Sequence, residues 1–352
     1  IDRGRTFQNT DQIAGGDPLY DTELAGAPRT QGIDTDMGAY EGGQFPSGAE
    51  RPTNDRLLVD ASAENDRGGE TWTNPYRTLQ AALQAVGNAR NAGALSAELP
   101  VSIWIAEGTY TPDEGPGLGG SRTFIPPSAL SFVVPPGARL LGGFSGGEAS
   151  ASQRNPDPAT NNTTLSGALG AETNSATVVQ MLPPAPEAAT ASVQSVTIAE
   201  GRLTNAEPIP GAEDAGRAPM PYMEETPFPQ SRAAGLYIQG GTPRIENVHL
   251  RNNTATGTLV NSAAGLYCRG CSATFESVRL ENNSAPISGG LAVVADGQDA
   301  TPTFANVTVV GNTADEFGGG ATFQARNGFR LDATLANITF SDNTAGGTGA
   351  GL

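Results

Sequence analysis

The chain has 352 residues, enough to bury a core without help from metals or disulfides. Gly and Pro number 46 and 26, about a fifth of the chain and short of the roughly 25–30% at which low-complexity disorder becomes the default. Lysine is absent, His249 is the only histidine and the net charge is −17. These facts exclude Schiff-base and P-loop lysine chemistry and His-rich metal sites, and they set a negative field against nucleic acid and anionic membranes.

No run of eighteen apolar residues is present, so no membrane-spanning helix is expected, and no basic-then-apolar leader opens the chain. The chain starts at Ile1 without Met and stops inside a repeat, and reads as a mature segment or an excerpt of something longer. Residues 44–56 carry Q-F-P-S-G-A-E-R-P-T-N-D and read as a linker. Residues 57–100 follow as an opening unit. Residues 57–61 (L-L-V-D-A) predict a strand, and Thr78 to Ala92 predicts an Ala-rich amphipathic helix with Leu79, Ala82, Leu83 and Val86 on one face. Such a helix is expected to cap the first coil of a solenoid and protect it from edge pairing. Between them, Asp60, Glu64, Asp66 and Glu70 crowd one loop and are a candidate calcium site, although their spacing is not that of an EF-hand. Asp296 and Asp299 form a second, smaller acidic group.

From Val101 the strand V-S-I-W-I-A-E-G-T-Y opens residues 101–352, which read as coils interrupted by a Pro-rich insertion at 202–231. The insertion carries Glu213, Asp214, Glu224 and Glu225 around Met220, Tyr222 and Met223, and its length suggests a contact role. After it the repeat is plain. R-I-E-N-V-H-L-R-N-N-T starts at Arg244, T-F-E-S-V-R-L-E-N-N-S at Thr274, T-F-A-N-V-T-V-V-G-N-T at Thr303 and T-L-A-N-I-T-F-S-D-N-T at Thr334. The second Asn of each copy falls at Asn253, Asn283, Asn312 and Asn343, a period near 30, and a weaker copy starts at Val193. A second short element follows each copy after glycine, as in A-G-L-Y at Ala264.

A period near 30 built from short β-rich runs and Gly/Asn turns indicates a solenoid. Counting Phe304 as position one, apolar residues occupy positions one, four and six, and position five holds His249, Arg279, Thr308 or Thr339. Stacking therefore places Val248, Val278, Val307 and Ile338 in one buried row of parallel strands ~4.8 Å apart. Crossovers between parallel strands are right-handed. The fold class expected is all-β, a right-handed parallel β-helix solenoid with an N-terminal capping helix.

The recurrent Asn fits as a ladder in which each amide donates to one neighbouring coil and accepts from the other. Sequons at Asn252, Asn282, Asn306 and Asn337 read as by-products of the turn pattern, a buried ladder Asn being a poor glycan acceptor. Cys268 and Cys271, the only cysteines, are spaced C-R-G-C. Two thiols supply half of a structural zinc site, so a local disulfide or ordinary thiols stand beside it as readings.

The stretches V-D-A-S-A-E-N-D-R-G-G-E-T-W-T-N-P-Y-R-T-L-Q-A-A-L, I-W-I-A-E-G-T-Y-T-P, L-L-G-G-F-S-G-G-E and N-T-T-L-S-G resemble the opening of bacterial secreted β-helix proteins of pectate-lyase-like architecture. The N-x-T and G-G-G coils resemble polymorphic outer-membrane-protein repeats. I-D-R-G at Ile1 and T-D-M-G-A-Y-E-G at Thr35 resemble the closing segment of choice-of-anchor β-helix proteins, which marks residues 1–43 as the end of a preceding or neighbouring β-helix. The resemblance implies an extracellular or cell-surface bacterial protein, usually without an assigned activity.

The order of the pieces suggests a tandem array in which residues 1–43 complete the open coil of a neighbour, with self-association through coil ends. An arbitrary fragment crossing two tandem domains is the alternative. A polysaccharide-cleaving enzyme would need acids on neighbouring coils, and the candidates are Glu246 and Glu276 at position two with His249 and Arg279 at position five. The next two coils replace them with Ala305, Ala336, Thr308 and Thr339, so a solvated face with cross-strand ion pairs is the plainer reading. A carbohydrate-binding module would need exposed aromatics, and Trp72 and Trp104 are the only tryptophans. The expected function is a non-enzymatic structural or adhesive surface protein without a cofactor, with calcium and carbohydrate as possible ligands.

Overall fold

The computed structural model describes residues 56–64, 68–91, 95–96, 98–113, 127–170, 173–181, 190–204, 233–257 and 262–352. The expected closing segment at 1–43 and nearly all of the linker lie outside these residues. So does the insertion from residue 205 onward. Its first two residues do not belong to an insertion at all, because Arg202–Leu203 is a strand paired in parallel with Thr254–Ala255.

The fold is a parallel β-helix. Three sheets of eleven, six and five strands run along it. The first contains Arg56–Val59, Val101–Ala106, Ala138–Phe144, Ser192–Ala199, Arg244–Arg251, Thr274–Glu276 with Arg279–Glu281, Thr303–Val310 and Thr334–Ser341. The second runs from Phe132–Val134 to Ala321–Ala325, and the third from Arg202–Leu203 to Thr344–Ala345. Each pairing between named strands is parallel, and equivalent repeat positions stand opposite one another. Ile245 faces Phe275, Phe275 faces Phe304, and Phe304 faces Leu335. The Phe275 and Phe304 rings stack with centroids 4.5 Å apart, which converts the repeat into a column of aromatic contact.

Simple alternation would send positions one, three and five inward. The sequence instead makes one, four and six apolar, and the backbone gives the reason. Position three is left-handed in the five coils from Ser192–Ala199 onward, at Ser195, Asn247, Ser277, Asn306 and Asn337, with φ between 51° and 59°. This residue acts as a bulge that reverses the phase of the strand, so Val248, Val278 and Val307 turn into the core at 1–2% exposure. A second left-handed residue, at Glu200, Asn252, Asn282, Gly311 or Asp342, turns the chain out of the first sheet. Asn, Asp and Gly recur at these two places because they tolerate that conformation.

Glycine has a separate task where the second sheet begins. A Cβ on Gly290 would lie 2.4 Å from the carbonyl oxygen of Gly320, and Gly235, Gly265 and Gly320 are in the same position against the following coil. Only a column of glycines lets the coils approach this closely there.

The two poles differ. At the N-terminal pole a helix, Leu79–Asn91, starts after Thr78, whose hydroxyl accepts the Ala81 N–H. Its residues Leu79, Ala82, Leu83 and Val86 are buried in the main core. The outer edge of Arg56–Val59 is also occupied, since Leu58 N–H donates to Gly69 and Tyr76 N–H donates to Leu58. At the other pole Leu335 is 44% exposed where Ile245, Phe275 and Phe304 are at most 2% exposed. Ile338 and Phe340 are only half-buried.

Candidate functional site

The ladder asparagines occupy the corner between the first and third sheets. Asn253, Asn283 and Asn312 are fully buried and Asn343 is half-buried. Each amide nitrogen donates to the Oδ1 of the next coil, at 3.0 Å for Asn253 to Asn283, 2.9 Å for Asn283 to Asn312 and 3.0 Å for Asn312 to Asn343. Its second hydrogen goes to a carbonyl of the preceding coil, Ile198, Leu250, Leu280 or Val309. Each Oδ1 also takes a backbone N–H from the coil before it, beginning with Gly201. The stack uses both amide hydrogens of Asn253, Asn283 and Asn312 and both acceptor sites of Asn283 and Asn312 Oδ1.

The sequon residues are different atoms from the ladder and require a correction. Asn252 and Asn282 precede the ladder Asn, Asn306 and Asn337 are the left-handed bulge residues, and all four are exposed. Burial is therefore not what bears on them as acceptors.

The charged patch lies on the outward face of the first sheet, where Glu246 stands opposite Glu276 and His249 opposite Arg279. Arg244 holds both acids, through Nε to Glu246 at 2.9 Å and through an NH2 donor to Glu276 at 2.9 Å. Arg279 grips Glu281 with two hydrogen bonds, at 3.0 and 2.9 Å, and His249 Nε2 meets the same carboxylate at 2.8 Å. The bidentate guanidinium, above all, holds the Glu281 carboxyl down at about 2. At His249 burial outweighs the contact with Glu281, and the imidazole is pushed below its ordinary value. With Glu281 ionised, Nε2 carries the proton and donates it. Arg244 and Glu281 each pair with a residue two positions away on the same strand, but their second partners, Glu276 and His249, are 32 residues away and meet them only across the register.

Ser277, His249 and Glu281 are the residue types of a hydrolytic triad on one face. The geometry does not assemble them as one. Among the described residues no hydrogen bond joins Ser277 to His249, and the left-handed backbone of Ser277 recurs at Ser195, Asn247, Asn306 and Asn337. A pair of carboxylates free to act as acid and base is likewise missing here, since Glu246 and Glu276 share Arg244.

Beside the patch, the 154–161 loop stands over the sheet. Asn155 N–H donates to Gly143, the Asn161 amide to the Asn155 carbonyl at 3.0 Å, and Arg154 to Gln194 at 3.2 Å. Between Pro156–Ala159 of this loop and Asn247–His249, Ser277 and Arg279 lies a hollow of about 270 Å³.

The calcium candidates do not form a site in the described residues. Asp60 is half-buried and accepts the Ser62 N–H at 2.8 Å, Glu64 is exposed and Glu70 half-buried, and Asp66 lies outside the described residues. Asp296 is engaged by Arg269 at 3.1 Å and by Asn327 at 3.0 Å, and Asp299 accepts the Arg330 N–H. Among the described residues no three His, Cys, Asp or Glu side chains gather as a metal group. Cys268 and Cys271 form a disulfide, which removes them as zinc ligands. Trp104 is buried and stacks on Phe144 at 4.6 Å, and half-buried Trp72 lies with its ring centroid 5.8 Å from that of Phe144 and donates its indole N–H to the Glu148 carbonyl. No described helix is long and apolar enough to cross a membrane.

No protein-family model matches the chain, and neither a curated protein nor a solved structure shows significant similarity to it.

Proposed function

We propose that this chain is a non-enzymatic structural or adhesive β-helix of the bacterial cell surface, a unit that is extended by coil-on-coil stacking. The observation that carries the reading is the contrast between the poles. One is closed by a helix and by residues 69–76, whereas in the last coil described Leu335 is 44% exposed and Ala321–Ala325, Thr334–Ser341 and Thr344–Ala345 are paired, among the described residues, on one edge only, an edge that a further coil of the same chain or of a neighbour would cover. A strand edge with an apolar interior beside it is a template for a further coil.

The array form of the proposal takes that coil from residues 1–43 of a neighbour. A closed N-terminal pole supports it, since folded bodies cannot meet head to tail through the Arg56–Val59 edge. An extracellular location is supported by the Cys268–Cys271 disulfide, a bond that persists in oxidising compartments. The charge of −17 weighs against nucleic acid as a partner. Negative-stain electron microscopy of the full chain over a concentration series tests the array. Linear chains that disappear in Leu335→Glu are expected, and monomers at every concentration would refute it.

A further inference from the structure

We infer that the hollow beneath the 154–161 loop is a binding site for a single neutral pyranose ring, a role independent of coil stacking. Two prolines, Pro156 and Pro158, supply apolar wall of the kind that covers the C–H face of a sugar ring. Ala159 and Val248 continue that apolar wall, and the polar side chains set among them have hydrogen-bonding capacity to spare. His249 gives Nε2–H to Glu281, which leaves Nδ1 as an acceptor. Arg279 gives Nε and one NH2 donor to Glu281, which leaves its other terminal nitrogen as a donor. Asp157 uses Oδ1 for the Ala159 N–H, which leaves Oδ2. Among the described residues no hydrogen bond engages the Asn247 amide or the Ser277 hydroxyl.

Donors and acceptors thus share one small hollow, and the ligand must offer both. An anion would leave Asp157 and His249 Nδ1 unmatched, a cation would face Arg279, and an apolar group would strand all of them. Neighbouring hydroxyls on one ring donate and accept in turn. At about 270 Å³ the space falls just short of the ~300–1,000 Å³ that holds drug-sized ligands, which suits one ring. The site is also pre-organised. Glu281 fixes both His249 and Arg279, and Thr197 holds the Pro158 carbonyl at 3.5 Å. The net charge of −17 disfavours polyanionic glycans and leaves neutral ones.

Isothermal calorimetry of the full chain with the methyl pyranosides of glucose, galactose and mannose tests the site. One of them should bind saturably at a single site. Ser277→Gly, which keeps the left-handed backbone, should weaken that binding about tenfold by removing one hydrogen-bonding group. Ala159→Trp, an exposed loop position that fills the hollow, should abolish it. Absence of saturable binding by all three, or binding that survives Ala159→Trp in a protein of unchanged thermal midpoint, would overturn the inference.

Discussion

The side-chain amide of Asn283 donates to Oδ1 of Asn312 across 2.9 Å, and the same oxygen takes the backbone N–H of Asn283 at 3.0 Å. One acceptor therefore ties both the side chain and the main chain of the coil before it. The ladder is a buried polar network with every member satisfied, the condition under which such networks rigidify a core rather than weaken it.

Replacing Asn283 by Ala removes two donors and an acceptor, takes the partner from the Asn253 amide and backbone N–H, and leaves Asn312 Oδ1 with the backbone N–H of residue 283 alone. A loss of about 2–4 kcal/mol is expected from the denaturant midpoint, given ~1–3 kcal/mol for each unsatisfied buried group and partial relaxation. Asn343→Ala, in the half-buried last coil, should cost less than half as much.

Gly290→Ala should be among the most damaging small changes, at about 3 kcal/mol, because the new methyl meets the backbone of Gly320 rather than a movable side chain. Gly297→Ala is the control. It has a φ of +82° but open space around it, so only the backbone cost of about 1–2 kcal/mol should appear in the thermal or denaturant midpoint.

Acid should weaken the charged face in a defined window. The folded Glu281 carboxyl titrates at about 2, below its ordinary 4.5. Its contribution is present above the unfolded value and is lost as pH falls from there toward 2. His249, also depressed in the folded state, acts in the same sense, since protonation at low pH favours the unfolded chain. A pH series of unfolding midpoints should show this slope, and Glu281→Gln should flatten its acidic limb.

The Cys268–Cys271 bridge closes a short loop, and reduction should lower stability by about 2 kcal/mol. Thermal melts with and without reductant measure this. A thiol assay on the unfolded, unreduced chain should find no free cysteine, and two free thiols would contradict the pairing.

Much of this fold is legible in the sequence because stacking repeats the same demand at every coil. Val248, Val278 and Val307 mark one buried row, and the Asn positions mark another. The odd step from position one to position four is visible there as well, but its cause, the left-handed residue at Asn247, Ser277 or Asn306, is a backbone property that appears only as a preference for Asn and Ser. The glycine column is hidden for a similar reason, since a close approach between Gly290 and Gly320 requires the register. The charged face is less legible still. Glu281 reads as an ordinary turn acid until His249 and Arg279 are set beside it, and the loop at Pro156–Ala159 belongs to a different coil altogether.

Hydrogen exchange at the amides of Thr334–Ser341 in the full chain, followed over a concentration series, tests the stacking proposal most directly. A neighbour's coil laid on this edge should make its protection rise with protein concentration, while the interior strand Arg244–Arg251 stays constant. Protection of the edge that does not change with concentration would contradict association through it.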